Sequence, residues 1–118
     1  MNTKGLAYEN QAAAFLEERG YAIVERNWKI KAGEIDIIAE RGDLLIFVEV
    51  RARSNVNFGT PGESVTAAKR KKIIKTAAAY MSAKKPPHKN YRFDVISIVP
   101  GRAPEHIEEA FDADGYGF

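Results

Sequence analysis

Cysteine is missing from the 118 residues, and histidine occurs only at His88 and His106. Disulfide scaffolds, thiol nucleophiles and Cys/His zinc sites are therefore excluded, as are most histidine-based triads. Any metal bound by this chain must be a hard ion held by oxygen. There is no apolar run approaching the ~20 residues of a membrane-spanning helix, and Met1 to Gly5 has no apolar signal segment. These absences predict a cytoplasmic protein with no membrane partner. Internal repeats and low-complexity tracts are lacking too. What is present, 45% hydrophobic and 29% charged residues, suits one folded domain over 1–118, with a core at about 4–111 and a frayed tail at 112–118.

The net charge is only +2, but its distribution is uneven. From Lys69 to Arg92 there are nine Lys or Arg residues and no acid, whereas Glu105 to Phe118 holds five acids and no Lys or Arg. A basic segment attracts phosphate backbones through counterion release. Lysine-rich helix faces also keep proteins soluble, so the segment alone does not choose between the two roles.

Apolar periodicity predicts a first helix at about 4–19, with Thr3 as N-cap and Gly20 as C-terminal cap. A strand from Tyr21 to about Trp28 and a Lys/Gly loop over Lys29 to Gly33 follow. Glu34–Arg41 and Leu44–Arg53 read as a hairpin closed by Gly42-Asp43, a pair suited to a type II′ turn. Ser54 to Gly62 is expected as a loop and Ser64 to Ala83 as a second helix, ended before Pro86-Pro87. Tyr91–Val99 reads as a buried central strand, and His106–Phe111 as a short edge strand. The order is α-β-β-β-α-β with one further strand, an α/β fold.

Strand alternation then places Ile35, Ile37 and Ala39 with Ile46, Val48 and Val50 on one face, and Glu34 and Asp36 with Phe47, Glu49 and Arg51 on the other. Counting back from the turn puts Asp36 opposite Glu49, and Glu34 opposite Arg51. Like charges directly opposite destabilise a sheet, so this pair calls for a cation, either a divalent metal or a neighbouring Lys or Arg. Alternatively, both acids mark the wet face of a half-solvated hairpin, with Glu34 and Arg51 as an ordinary ion pair. On the first helix, Leu6, Ala12, Ala13 and Leu16 surround Glu9, which puts an acid inside the apolar arc. Burying a lone carboxylate costs several kcal/mol. Glu9 therefore needs a function or a partner such as a local arginine. Together, Glu9, Asp36 and Glu49 form an oxygen-only set suited to Mg²⁺ or Mn²⁺. Phosphodiester hydrolysis would connect such a metal with the basic segment.

The runs Gly33-Glu34-Ile35-Asp36-Ile37-Ile38-Ala39 and Phe47-Val48-Glu49-Val50-Arg51-Ala52-Arg53 resemble the signature of the small bacterial YraN-like family. Gly5 to Glu9 with Ala12, Asn27-Trp28, Lys69, Tyr80 and Arg92 to Ile96 extend the resemblance over most of the chain. That family is a branch of the restriction-endonuclease-like, or PD-(D/E)XK, nuclease superfamily. The resemblance implies an αβββαβ core with a mixed sheet flanked by helices, metal ligation by Asp36 and Glu49, and assistance from Glu9. It also implies substrate contacts from the second helix. Where the superfamily carries a catalytic lysine two residues after the acid, this chain has Arg51. Arginine stays protonated, so Arg51 is expected to stabilise charge, or Lys69 to take over the lysine's role, or hydrolysis to be slow or absent.

Lys71, Lys72 and Lys75 lie outside the helix's apolar arc of Ile73, Ile74, Ala77, Tyr80 and Met81, while Lys69 borders that arc near Tyr80. These lysines and Tyr80 are the candidate nucleic-acid contacts. Trp28 reads as packing rather than base stacking, Asp94 as a salt-bridge acid, and neither histidine carries a role. The leading expectation is a metal-dependent endonuclease acting on DNA or a structured nucleic acid, its single small site helped by a homodimer on duplex substrates. A non-catalytic nucleic-acid-binding module and a protein-interaction domain are the alternatives.

Overall fold

The first helix ends where the sequence places a glycine. Gly20 adopts φ +89°, and the Gly20 and Tyr21 amides bond back to the carbonyls of Glu17 and Leu16, which closes the helix in a Schellman turn. In the computed structural model, which describes residues 3–53 and 65–113, this helix is α1, Thr3–Glu18. It is followed by β1 (Ala22–Ile30), β2 (Gly33–Arg41), β3 (Leu44–Ala52), α2 (Ala67–Lys84), β4 (Asn90–Ile98) and β5 (Glu105–Phe111). The loop expected over Ser54 to Gly62, Ser64 and the tail from 114 onward lie outside the described residues.

One mixed sheet has the order β1-β2-β3-β4-β5, antiparallel throughout except for the parallel pair β3–β4, which α2 connects. β1 and β2 are joined by the two residues Lys31-Ala32 rather than by the longer loop expected, because pairing continues to Ile30↔Gly33. The second hairpin turns at Gly42, φ +59°, with Arg41 opposite Leu44 as the turn requires.

Helices cover both faces. Ala12, Ala13 and Leu16 of α1 pack on Ile37, Ala39, Ile46, Val48, Ile96 and Ile98. Ile73, Ile74, Ala77 and Tyr80 of α2 pack on Ile35, Ile38, Leu45, Phe47, Phe93 and Val95. β3 and β4 are accordingly buried on both sides. Leu6, expected in the α1 core stripe, is instead 44% exposed.

α2 begins later than expected, because Thr66 caps it by accepting a hydrogen bond from the Lys69 amide at 3.1 Å. It ends on Lys85 in the left-handed region, just before Pro86. Gly33 lets the helix lie close to β2: a Cβ there would stand 2.7 Å from Thr76 Oγ1 and 3.2 Å from the Lys72 carbonyl. No helix among the described residues is long and apolar enough to cross a membrane.

Candidate active site

The site arises where two paired strands part. The β2–β3 ladder runs from Arg41↔Leu44 to Ile37↔Val48, in the register counted from the turn, and stops one residue short of the expected Asp36–Glu49 pair. Asp36 occupies the opening with its own side chain, whose Oδ2 accepts a 2.8 Å hydrogen bond from the Val50 amide. Glu34, expected opposite Arg51, instead pairs with Lys29 of β1, at 3.6 Å between charged atoms.

Alternation also breaks here. Ile35 belongs to the α2 core and Ile37 to the α1 core, although two residues apart on a regular strand share a face. The cause is visible on the neighbouring strand, where Asn27 adopts φ +53° between the pairs Arg26↔Ile37 and Trp28↔Ile35. That left-handed residue sends Trp28 to the α2 side while Arg26 reaches Glu9 of α1.

A 260 Å³ cleft at this opening is lined by Gly5, Tyr8, Glu9, Glu34, Asp36, Glu49, Val50, Ala52 and Lys69. A larger 480 Å³ cleft lies by the Gly42 turn and contains Glu40 and His88, whose Oε1 and Nε2 are 2.7 Å apart. Only the smaller cleft gathers the acids picked out from sequence. Glu49 is 6% exposed and has two cations at its Oε1, Lys69 Nζ at 3.9 Å and Arg51 Nη1 at 4.0 Å.

Burial, more than any other influence, raises the proton affinity of both acids. The Asp36 carboxyl is pushed up to about 6, with the Val50 amide opposing the rise and Glu9 and Glu34 adding to it. Burial and then the Asp36 charge push Glu49 up to about 7, while Lys69 and Arg51 pull the other way. Among the described residues, Lys69 and Arg51 do not offset the effect of burial on Glu49.

Glu9 is placed differently from a third member of a carboxylate cage. Its Oε1 accepts a 2.9 Å hydrogen bond from Asn27 Nδ2 and lies 3.5 Å from Arg26 Nη2, so the expected local arginine is present. Among the described residues no three acidic or histidine side chains gather as a metal cluster, although Glu9 lines the same cleft as Asp36 and Glu49. Mg²⁺ and Mn²⁺ commonly use one or two protein carboxylates and keep water, so Asp36 and Glu49 still fit such an ion.

Lys71, Lys72 and Lys75 are exposed on α2. Tyr80 is not, and its expected nucleic-acid contact is ruled out by burial: 4% exposed, it packs edge-on against Trp28 and Phe47. It sits three turns along α2 from Lys69, and the two residues belong to separate environments. Asn27 and Arg26 were not picked out as site residues. Besides the share of Asn27-Trp28 in the resemblance, the sequence signal is an asparagine inside a strand-forming run, a residue depleted in strands and tolerant of left-handed backbone.

Residues 8–98 match the model of the uncharacterised protein family UPF0102. The chain belongs to that family. Its relatives include UPF0102 proteins of Dictyoglomus thermophilum, 50% identical over 92% of this chain and 93% of the relative, and Myxococcus xanthus, 45% identical over 92% and 89%. The resemblance seen at Gly33–Ala39 and Phe47–Arg53 thus extends over nearly the whole chain. Among solved structures, the Holliday junction resolvase Hjc of Archaeoglobus fulgidus superposes with a TM-score of 0.59 at 17% identity, over 90% of this chain and 73% of that one. This UPF0102 chain has a restriction-endonuclease-like fold.

Proposed function

We propose that this UPF0102 protein is a divalent-metal-dependent endonuclease acting on DNA. The observation that carries the reading is the pair of half-buried Asp36 and buried Glu49 at the parting of β2 and β3, facing a cleft that Lys69 also lines. A well-partnered structural acid is held below its ordinary range by its hydrogen bonds and cations, whereas burial raises both of these carboxyls.

Asp36 and Glu49 would hold Mg²⁺ or Mn²⁺, which supplies charge neutralisation and polarisation of a phosphodiester. Arg51 remains charged and orients or stabilises anionic oxygens. Lys69 approaches Glu49 from α2 and takes the place of the lysine absent at position 51. Its position follows from the Thr66 cap and from the close seating of α2 at Gly33. Lys71, Lys72 and Lys75 would attract the phosphate backbone, and a homodimer would bring two clefts to two strands. Work on DNA would place the protein in the cytoplasm. Because the structural neighbour is a Holliday junction resolvase, branched DNA is the first substrate to try.

The test is cleavage of branched, duplex and single-stranded DNA with Mg²⁺ or Mn²⁺. Asp36→Asn and Glu49→Gln should each lower the rate by about 10²-fold or more while the protein stays folded. Arg51→Lys should raise cleavage if the arginine impairs the reaction and lower it if Arg51 has its own role. Changing Lys71, Lys72 and Lys75 to Glu should weaken binding to all sequences and flatten its salt dependence. Salt-sensitive binding without cleavage by either parent or Arg51→Lys would favour the second reading, a nucleic-acid-binding module, for which the arginine at position 51 is the supporting observation.

A further inference from the structure

Behind the cleft wall lies a second set of polar groups. Arg26 and Asn27 do not line the cleft, yet both converge on Glu9 Oε1 from β1. Asn27 Oδ1 and Arg26 Nε are buried with no hydrogen-bond partner among the described residues, and Arg26 Nη2 has only its 3.5 Å ion pair with Glu9. Leaving such atoms unsatisfied is costly, so the arrangement is not explained by stability alone. Asn27 also holds a left-handed backbone inside a strand, which non-glycine residues avoid.

These features meet at one level of the sheet. The flanking pairs place Asn27 across from Asp36, and the face reversal at Asn27 coincides with the reversal between Ile35 and Ile37. The backbone of Asn27 thus helps set the strand geometry around Asp36, while its side-chain amide donates to Glu9, an acid that lines the same cleft. We infer that Asn27 is a positioning residue: by donating to Glu9 Oε1 it holds the Glu9 carboxylate against the cleft that contains Asp36 and Glu49, where Glu9 strengthens divalent-cation binding as an outer acid rather than as a direct ligand. This rests on the metal-dependent reading above.

Outer groups of this kind typically change metal affinity by about 10- to 100-fold. Asn27→Gly isolates the side chain, because glycine takes left-handed dihedrals freely. Mn²⁺ titration calorimetry on the full chain, with thermal melting as a fold control, should show Asn27→Gly binding about tenfold more weakly at nearly unchanged melting temperature. In a Glu9→Ala background, the same change should bring no further loss. Equal Mn²⁺ affinity in the parent and Asn27→Gly would overturn the inference, as would a further tenfold loss on top of Glu9→Ala. A parent that binds no Mn²⁺ overturns the metal-dependent reading itself and this inference with it, a result distinct from binding that Asn27→Gly leaves intact.

Discussion

Two neighbouring strands each bury carboxylate, with opposite outcomes. Asp94 on β4 is fully buried and accepts hydrogen bonds from both Nε and Nη2 of Arg92, each at 2.8 Å, and from the Glu109 amide; His106 Nε2 lies 2.7 Å away. Burial raises its proton affinity, but these partners outweigh burial and hold the carboxyl below its ordinary range. Asp36 and Glu49 have one backbone amide and two cations near 4 Å between them, and burial wins. Carboxylates thus stand in two environments: a satisfied acid holds the fold together, while the pair at the cleft is the one that the proposed reading assigns to a cation brought from solution.

Removing each acid should separate them most sharply. Asp94→Ala takes the two-point partner from half-buried Arg92, leaving it Glu108 and the Tyr21 hydroxyl, and removes the acceptor of the Glu109 amide on β5; it should cost about 3–5 kcal/mol in urea unfolding. Asp36→Asn and Glu49→Gln should have the opposite sign in metal-free protein, stabilising it by roughly 1–3 kcal/mol at pH 8. Destabilisation by both amide variants would mean that the pair is structural after all.

Much of the contrast was legible in the sequence, because it follows from local rules. A Gly42-Asp43 turn fixes the hairpin register, and counting from it gives the observed pairs as far as Ile37↔Val48, one residue short of the expected Asp36–Glu49 pair. Asp94 read as a salt-bridge acid because it interrupts an apolar strand. What stayed hidden depends on departures from those rules. Strict alternation put Ile35 with Ile37, and only a left-handed Asn27 in the next strand shows why they separate. Tyr80 belongs to the helix's apolar arc and is also named as a nucleic-acid contact; buried edge-on against Trp28, it keeps only the first place. His106 gained its partner only when β5 folded back beside β4.

Acidity offers a second, smaller contrast. The raised carboxyls of Asp36 and Glu49 bind protons more tightly folded than unfolded. Their contribution to stability is therefore fully present below their ordinary values of 3.8 and 4.5, and it is lost as pH rises through about 6 and 7. Asp94 runs the other way: its contribution is present above 3.8 and lost as pH falls through its lowered value. Metal-free protein should therefore be most stable near about pH 5 and weaken toward pH 8, while Mn²⁺ should restore stability at the alkaline end. Urea unfolding from pH 3 to 9, with and without Mn²⁺, checks this, and a metal-free optimum at pH 8 would contradict it.

The smallest effect should come from the two cations at Glu49. Lys69 and Arg51 are both more than a third exposed at the side chain and stand near the limit of an ion pair, so each should contribute only about 0–1 kcal/mol to stability. Their functional effects should differ more than their structural ones. Lys69→Gln removes a compact ammonium from the cleft wall, whereas Arg51→Gln removes a broad guanidinium from the strand that carries Glu49. If Lys69 serves as the displaced catalytic lysine, Lys69→Gln should lower cleavage by about 10²-fold or more and Lys69→Arg should not restore it, since arginine cannot give up its proton. Recovery in Lys69→Arg would mean that position 69 supplies positive charge alone. In that case Lys69 and Arg51 act as equivalent neighbours of Glu49, and the contrast with Asp94 is one of cation distance rather than of chemistry.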